Sequence, residues 1–343
     1  MRTASAEALT VPARWDTRTI VGLGVSLVSV AGCVWWASSQ KTPAFPSGVA
    51  NWSLLVAGVV LYGMATLARG WRWDTILRFL DVGHQRADAY ALNVVGYMGN
   101  TVLPARGGEV LRMFLLSERS DARKREVAGS VISERLLDAG ALVLLFVVVV
   151  LTGIGDAPGG KNSAIPAGIA LVLAVGGAFG YLQLRRAGRF GGFADRIRPF
   201  ARASRQLLSP RGAGLFAVTL AVWLTEAAIF SLCAHSLGLS VSVLDAVAVT
   251  VLASLSALIP AGPGYVGTFD AAALFALHRL GVTGGAAVGC ILLYRFVIFV
   301  PVTCVGLILM VARYGGIRGA LRREHAAERQ PDAAAVQSVG PRP

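Results

Sequence analysis

Six stretches of the chain, near residues 19–38, 52–68, 136–153, 164–184, 212–235 and 286–312, are apolar over lengths at or close to the roughly 20 residues that cross a bilayer core. No other feature constrains the fold as tightly. In hydrocarbon every backbone N–H and C=O must bond within the protein, and single runs of this kind can do so only as helices. A mean hydropathy of +0.63, with 55% hydrophobic and 15% charged residues in 343, excludes a soluble domain. The weak, evenly spaced alternation of a transmembrane barrel is absent, and 40 glycines suit close helix packing. The expected class is an all-α polytopic membrane protein.

Two further apolar regions, about 87–117 and 243–277, are interrupted where a spanning helix would be continuous. Residues 100–112, Asn-Thr-Val-Leu-Pro-Ala-Arg-Gly-Gly-Glu-Val-Leu-Arg, combine a proline, paired glycines and three charges. Residues 256–266 echo them: Pro104, Ala105, Gly108 and Val110 align with Pro260, Ala261, Gly264 and Val266.

Loop charge sets an expected topology. Arg2, Arg14 and Arg18 precede the first run, which is longer than a signal-peptide core and has no convincing cleavage site, so it reads as a retained span. Segment 69–86 carries Arg69, Arg72, Arg78 and Arg86; segment 118–135 carries Arg119, Arg123, Lys124, Arg125 and Arg135. Segment 185–211 holds eight arginines, and the tail holds Arg313, Arg318, Arg322, Arg323 and Arg329. All are expected on the cytoplasmic side, whereas the connections holding only Lys41, Lys161 and Arg279 face outward. Region 87–117 must then enter and leave from the cytoplasm. Three spans follow, so region 243–277 must enter from the other face. The expected architecture is about six full spans plus two oppositely oriented re-entrant helical hairpins, an inverted repeat with its site near the bilayer midplane. Residues 1–18 form a cytoplasmic N-terminal segment, 19–312 one transmembrane domain, and 313–343 a disordered cytoplasmic tail. Both termini are expected inside an inner (cell) membrane. Within 185–211, Phe190, Phe193, Ile197 and Phe200 have the spacing of an interfacial helix, with a solvated loop as the alternative.

Charges within apolar sequence mark candidate sites. Arg106, Glu109 and Arg112 are three apart and would share a helix face. Guanidinium forks suit phosphate, and Gly107-Gly108 would let backbone N–H groups approach an anion at a helix start. The same three charges could instead form an internal network that holds the hairpin. Glu134 and Asp138 lie one turn apart at the mouth of a span, where Arg135 could snorkel. Glu226 sits mid-span and needs a partner, either as a proton-carrying carboxyl or as a structural hydrogen-bonding group. The second break supplies Gly264, Thr268 and Asp270. Arg295, in the last span, could neutralise Asp270 or Glu226 or touch substrate. The candidate substrate-binding set is therefore Arg106, Gly107, Gly108, Glu109, Arg112, Gly264, Thr268, Asp270 and Arg295; the proton-coupling or charge-balancing set is Glu109, Asp138, Glu226 and Asp270.

A net charge of +13 serves topology here, and no nucleic acid is expected. Cys33, Cys233, Cys290 and Cys304 lack metal-ligand spacing and read as packing residues. No zincin His pair, Gly-x-Ser-x-Gly or P-loop is present, so no enzyme activity, metal or cofactor is expected.

The motifs Asn100-x-x-x-Pro104-x-Arg106-x-Gly108-Glu109-x-x-Arg112, Glu134-Arg135-x-x-Asp138 and Pro260-x-x-Pro263-Gly264-x-x-Gly267-Thr268-x-Asp270, with the late Arg295, resemble the lysylphosphatidylglycerol synthase transmembrane-region (flippase-like) family. The resemblance covers roughly residues 15–315. That family includes the membrane half of the bacterial multiple peptide resistance factor, which implies movement of aminoacylated phospholipid between leaflets. That factor also carries a soluble aminoacyl transferase domain, and synthesis of the lipid is not expected of this chain. Asp270 stands where the family often has Glu, and Tyr265 where it has Gly. The expected function is flipping or transport of a phosphate-bearing lipid, either a phospholipid or a polyprenyl-phosphate-linked intermediate. The alternatives are secondary transport of a small anion, or a non-transporting role beside a glycosyltransferase or lipid synthase. Expected partners are lipids with phosphate head groups, with a lipid-modifying enzyme or glycosyltransferase as a further candidate.

Overall fold

A computed structural model describes residues 44–103, 106–120, 122–152, 209–256 and 263–315. The expected spans at 19–38 and 164–184, the segment 185–208 and the tail beyond 315 lie outside them. Among the described residues there are eight α-helices and no strand: α1 (Val49–Phe79), α2 (Arg86–Val102), α3 (Gly107–Arg119), α4 (Lys124–Leu151), α5 (Pro210–Ser236), α6 (Val243–Ser256), α7 (Thr268–Arg279) and α8 (Gly284–Tyr314). Pro263–Tyr265 form a short 3-10 turn before α7.

Three helices, α1, α5 and α8, are long and apolar enough to cross a membrane. Their outward faces carry apolar side chains that water would not tolerate as a continuous surface. On α1, Trp52, Val56, Val60, Met64, Leu67 and Trp71 recur at helical spacing and are all exposed. The fold is that of a membrane protein.

Local sequence explains the element ends. Ser209 accepts a hydrogen bond from the Gly212 N–H (3.2 Å) with Pro210 at the first helical position, a strong helix start. Helix α8 stops at Gly315, whose φ of 73° favours glycine. Helix α2 stops two residues before Pro104, and α3 begins after Arg106, which adopts a left-handed φ of 58°. Tyr265 at the second break has a φ of 57°. Both breaks thus hold a non-glycine residue in a sparsely populated conformation.

The helix pairs α2–α3 and α6–α7 sit head to head against α8. Helices α2 and α3 are antiparallel, since Gly99 lies against Gly108, Gly96 against Arg112, and Asp88 against Arg119. The open end of this pair meets the end of α8, where Arg313 Nε (3.0 Å) and the Tyr314 hydroxyl (3.1 Å) donate to Asp88. The open end of α6–α7 leads through a short turn at Leu280–Thr283 into the start of α8. The two breaks face each other between these ends: Gly264 lies against Thr101, and the Arg106 guanidinium sits 5.5 Å from the Tyr265 ring centroid. At 13 to 17 residues, α2, α3 and α6 fall short of the roughly 20 residues that span the core.

Two helices extend beyond their expected spans. Helix α1 continues through segment 69–86 as far as Phe79, and α4 begins at Lys124. Arg69, Arg72, Glu134 and Arg135 are therefore helical residues of the bundle, not loop residues. Of the cysteines, Cys233 and Cys290 are buried in the packing role expected, while Cys304 faces outward; Cys33 lies outside the described residues.

Candidate functional site

Arg72, two turns before the end of α1, is fully buried. A guanidinium there needs several acceptors, and the neighbouring helices supply them. Nη1 donates to Asp138 (2.7 Å) on α4 and to the Thr219 hydroxyl (2.9 Å) on α5, and Nη2 donates to Glu134 (3.0 Å). The other oxygen of Glu134 accepts from Arg112 of α3 at 2.5 Å. Arg112 also approaches Asn93 of α2 (3.4 Å) and stacks over Trp73 at 4.7 Å. Trp73 in turn donates to Ser130 (3.0 Å). One buried carboxylate, Glu134, thereby ties α1, α3 and α4 together.

This network continues toward the breaks. Arg135 lies 3.3 Å from Asp138 and 3.6 Å from Glu109, and Arg106 lies 3.7 Å from Glu109. Four guanidiniums (Arg72, Arg106, Arg112, Arg135) meet three carboxylates (Glu109, Glu134, Asp138). Arg106 and Arg135 are about a third exposed at the side chain, whereas Arg72 and Arg112 are closed off. Asn93, Gly96, Tyr97, Asn100, Arg112 and Arg135 surround a narrow cleft. Asn100 Oδ1, Arg112 Nε and Arg135 Nε are buried there without a hydrogen-bond partner.

Two further ion pairs flank the network. Arg69, one turn before Arg72, donates to Glu226, which also lies 3.4 Å from the Tyr294 hydroxyl. The rings of Tyr62 (5.7 Å) and Tyr97 (5.3 Å) cover the Arg69 guanidinium. At the second break Arg295 is bidentate on Asp270, with Nη2 to Oδ2 at 2.9 Å, and Nη1 donates to the Gly264 carbonyl at 3.1 Å. Asp270 also accepts from the Gly267 N–H (3.0 Å), capping α7.

The expected residues therefore separate. Arg106, Glu109, Arg112 and Asp138 belong to one network, but Arg112 turns inward to Glu134 while Arg106 and Glu109 stay near the surface. Gly107 and Gly108 pack against Leu103 and against α2, respectively, rather than lining open space. Glu226 finds its partner in Arg69. Arg295 takes Asp270, and with Gly264 they form a separate cluster; the Thr268 hydroxyl is buried nearby without a partner. Arg69, Arg72, Trp73, Asn93 and Thr219 were not anticipated. For the first three a signal existed: no proline breaks the sequence between residues 52 and 79, and Arg69, Arg72 and Trp73 keep helical spacing with the apolar Ile76 and Leu77.

The Lysylphosphatidylglycerol synthase TM region model matches residues 19–306. The chain belongs to that family. The match runs through every helix described except the end of α8 and includes all three charge clusters. It identifies a membrane domain of the lysylphosphatidylglycerol synthase or flippase type. A comparison with curated proteins gave no match.

Proposed function

We propose that this member of the family moves a phosphate-bearing lipid, a phospholipid or a polyprenyl-phosphate-linked intermediate, between leaflets of the inner membrane, without enzymatic activity. In this reading α2–α3 and α6–α7 are re-entrant hairpins from opposite faces, and both termini are cytoplasmic. One observation carries it. The two accessible guanidiniums of an arginine-rich network, Arg106 and Arg135, stand where the breaks meet, amid exposed apolar side chains. Val102 and Val110 flank Arg106, and Ile132 and Leu136 flank Arg135. A charged head group and an acyl chain are the two parts of a ligand that such a surface accepts together, whereas a free anion has no use for the apolar part. Arg72 and Arg112 hold the scaffold from within.

The test is leaflet exchange in liposomes with labelled anionic phospholipids and polyprenyl phosphates. Wild type should exchange at least one of them faster than protein-free vesicles, and Arg106→Ala and Arg135→Ala should slow that exchange about tenfold or more, the loss of one charge-assisted contact. Equal exchange with and without protein, for every lipid, would overturn the proposal. Cysteine labelling in a cysteine-free background tests the topology: Ser120→Cys should react from the cytoplasmic side and Arg279→Cys from the other. Reaction of both from one side would rule out the opposed hairpins.

A further inference from the structure

Glu109 differs from the other carboxylates of the bundle. Glu134, Asp138, Glu226 and Asp270 each accept hydrogen bonds from a guanidinium. Glu109 Oε1 stands 3.7 Å from Arg106 and 3.6 Å from Arg135, within ion-pair range of both, and accepts a hydrogen bond from neither. At 3.6 Å the contact is electrostatic only. Arg135 Nε is likewise buried without an acceptor, and so is Nε of Arg112, which is almost wholly inaccessible. Both arginines line the cleft beside Asn100.

Donors left unmade in a low-dielectric interior are costly, and a carboxylate tethered to the first turn of α3 cannot close on two separated forks at once. A tetrahedral phosphate can. Its oxygens diverge, and each can take a guanidinium N–H at ordinary hydrogen-bond length. We propose that Glu109 is a resident anion that fills the seat between Arg106 and Arg135 in the lipid-free state, and that a phosphate group enters by displacing it. The inference rests on the lipid-transport reading and adds a release step to it: the carboxylate returns to the seat and expels the phosphate, so tight capture is exchanged for turnover. A seat filled about nine-tenths of the time by its own carboxylate weakens apparent affinity about tenfold.

The test uses the full chain in phosphatidylcholine nanodiscs, titrated calorimetrically with dihexanoyl phosphatidic acid and, separately, with inorganic phosphate. Glu109→Gln and Glu109→Ala should both lower Kd about tenfold for the probe that binds and slow leaflet exchange of the lipid that wild type moves. Tightening for both probes would place recognition in the phosphate alone; tightening for phosphatidic acid only would place it in the lipid. The double variant Arg106→Gln/Arg135→Gln, added to Glu109→Gln, should abolish the tightening. An unchanged or raised Kd in both Glu109 variants overturns the displacement, as does tightening that survives loss of the two arginines. With wild-type exchange intact, those results leave lipid transport standing; absence of wild-type exchange counts against transport itself.

Discussion

Gly108→Ala is the substitution with the largest structural consequence for its size. Gly108 is buried in the seam between α2 and α3, and a methyl built on it would overlap the Gly96 carbonyl, lie 2.5 Å from the Asn100 nitrogen and 2.8 Å from Asn100 Oδ1. Ordinary contacts begin near 3.4 Å, so α3 must retreat by about 1.5 Å to clear the Gly96 carbonyl, and two of the three obstacles are backbone that cannot rotate aside. Overpacking of that kind costs about 3 kcal/mol. At roughly 2–4 °C per kcal/mol the midpoint should fall by about 6–12 °C. The shift also loosens Arg112 from Glu134, now 2.5 Å apart, so leaflet exchange should fall with stability. The assay is thermal unfolding in detergent followed by size exclusion, with Gly63→Ala as control. Gly63 is also a helix-interior glycine, but a methyl there meets nothing within 4 Å, and the change should be neutral or stabilise by up to about 1 kcal/mol. A Gly108→Ala protein melting within about 2 °C of wild type with normal exchange would refute the close-approach argument. An equal loss in Gly63→Ala would assign the effect to helical glycines in general.

Glu134→Ala strands Arg112 inside the bundle and leaves Arg72 with Asp138 and Thr219 alone; it should cost about 3–5 kcal/mol, measured as a fall in the unfolding midpoint, with the isosteric Glu134→Gln falling between it and wild type. In a double-mutant cycle on the buried pair Arg69–Glu226, either single change, Arg69→Met or Glu226→Leu, should destabilise more than the two combined, because each alone leaves a buried charge; additive losses would deny the coupling. Asp270→Asn removes the charge that holds Arg295 at the second break, and limited proteolysis there should accelerate at least several-fold, with stability elsewhere little changed.

The sequence made some of this legible for reasons that the structure bears out and hid the rest for reasons equally physical. The breaks at Pro104 and Pro263-Gly264 were visible because proline and paired glycines stop helices wherever they occur. Glu226 announced a partner because a carboxylate surrounded by apolar residues requires one. Arg69 and Arg72 were misplaced because an arginine just past an apolar run looks the same whether the helix stops or continues. What decides is the presence of Glu226, Glu134 and Asp138, 62 to 157 residues away along the chain. Arg106, Glu109 and Arg112 were grouped on one face by counting from Arg106. That residue is not helical, however, so it leaves the face that Glu109 and Arg112 keep, and Arg112 is drawn inward by Glu134 of α4.

The two breaks hold their charges differently. At the second break Arg295 donates to Asp270 and to the carbonyl of Gly264, groups that the interrupted helix would otherwise leave exposed in the bundle interior, so its charge is spent on holding the break. At the first break Arg106 stays part-exposed, 3.7 Å from Glu109. The repeat alignment pairs Glu109 with Tyr265, and in the structure both converge on Arg106, the carboxylate toward the edge of the guanidinium at 3.7 Å and the ring at 5.5 Å from its centre. An aromatic ring at this position holds the guanidinium by a cation–π contact and adds no competing charge, whereas a second carboxylate there would neutralise the site. The excess of guanidinium over carboxylate, on which the proposed phosphate binding depends, is kept because only one of the two aligned positions is acidic.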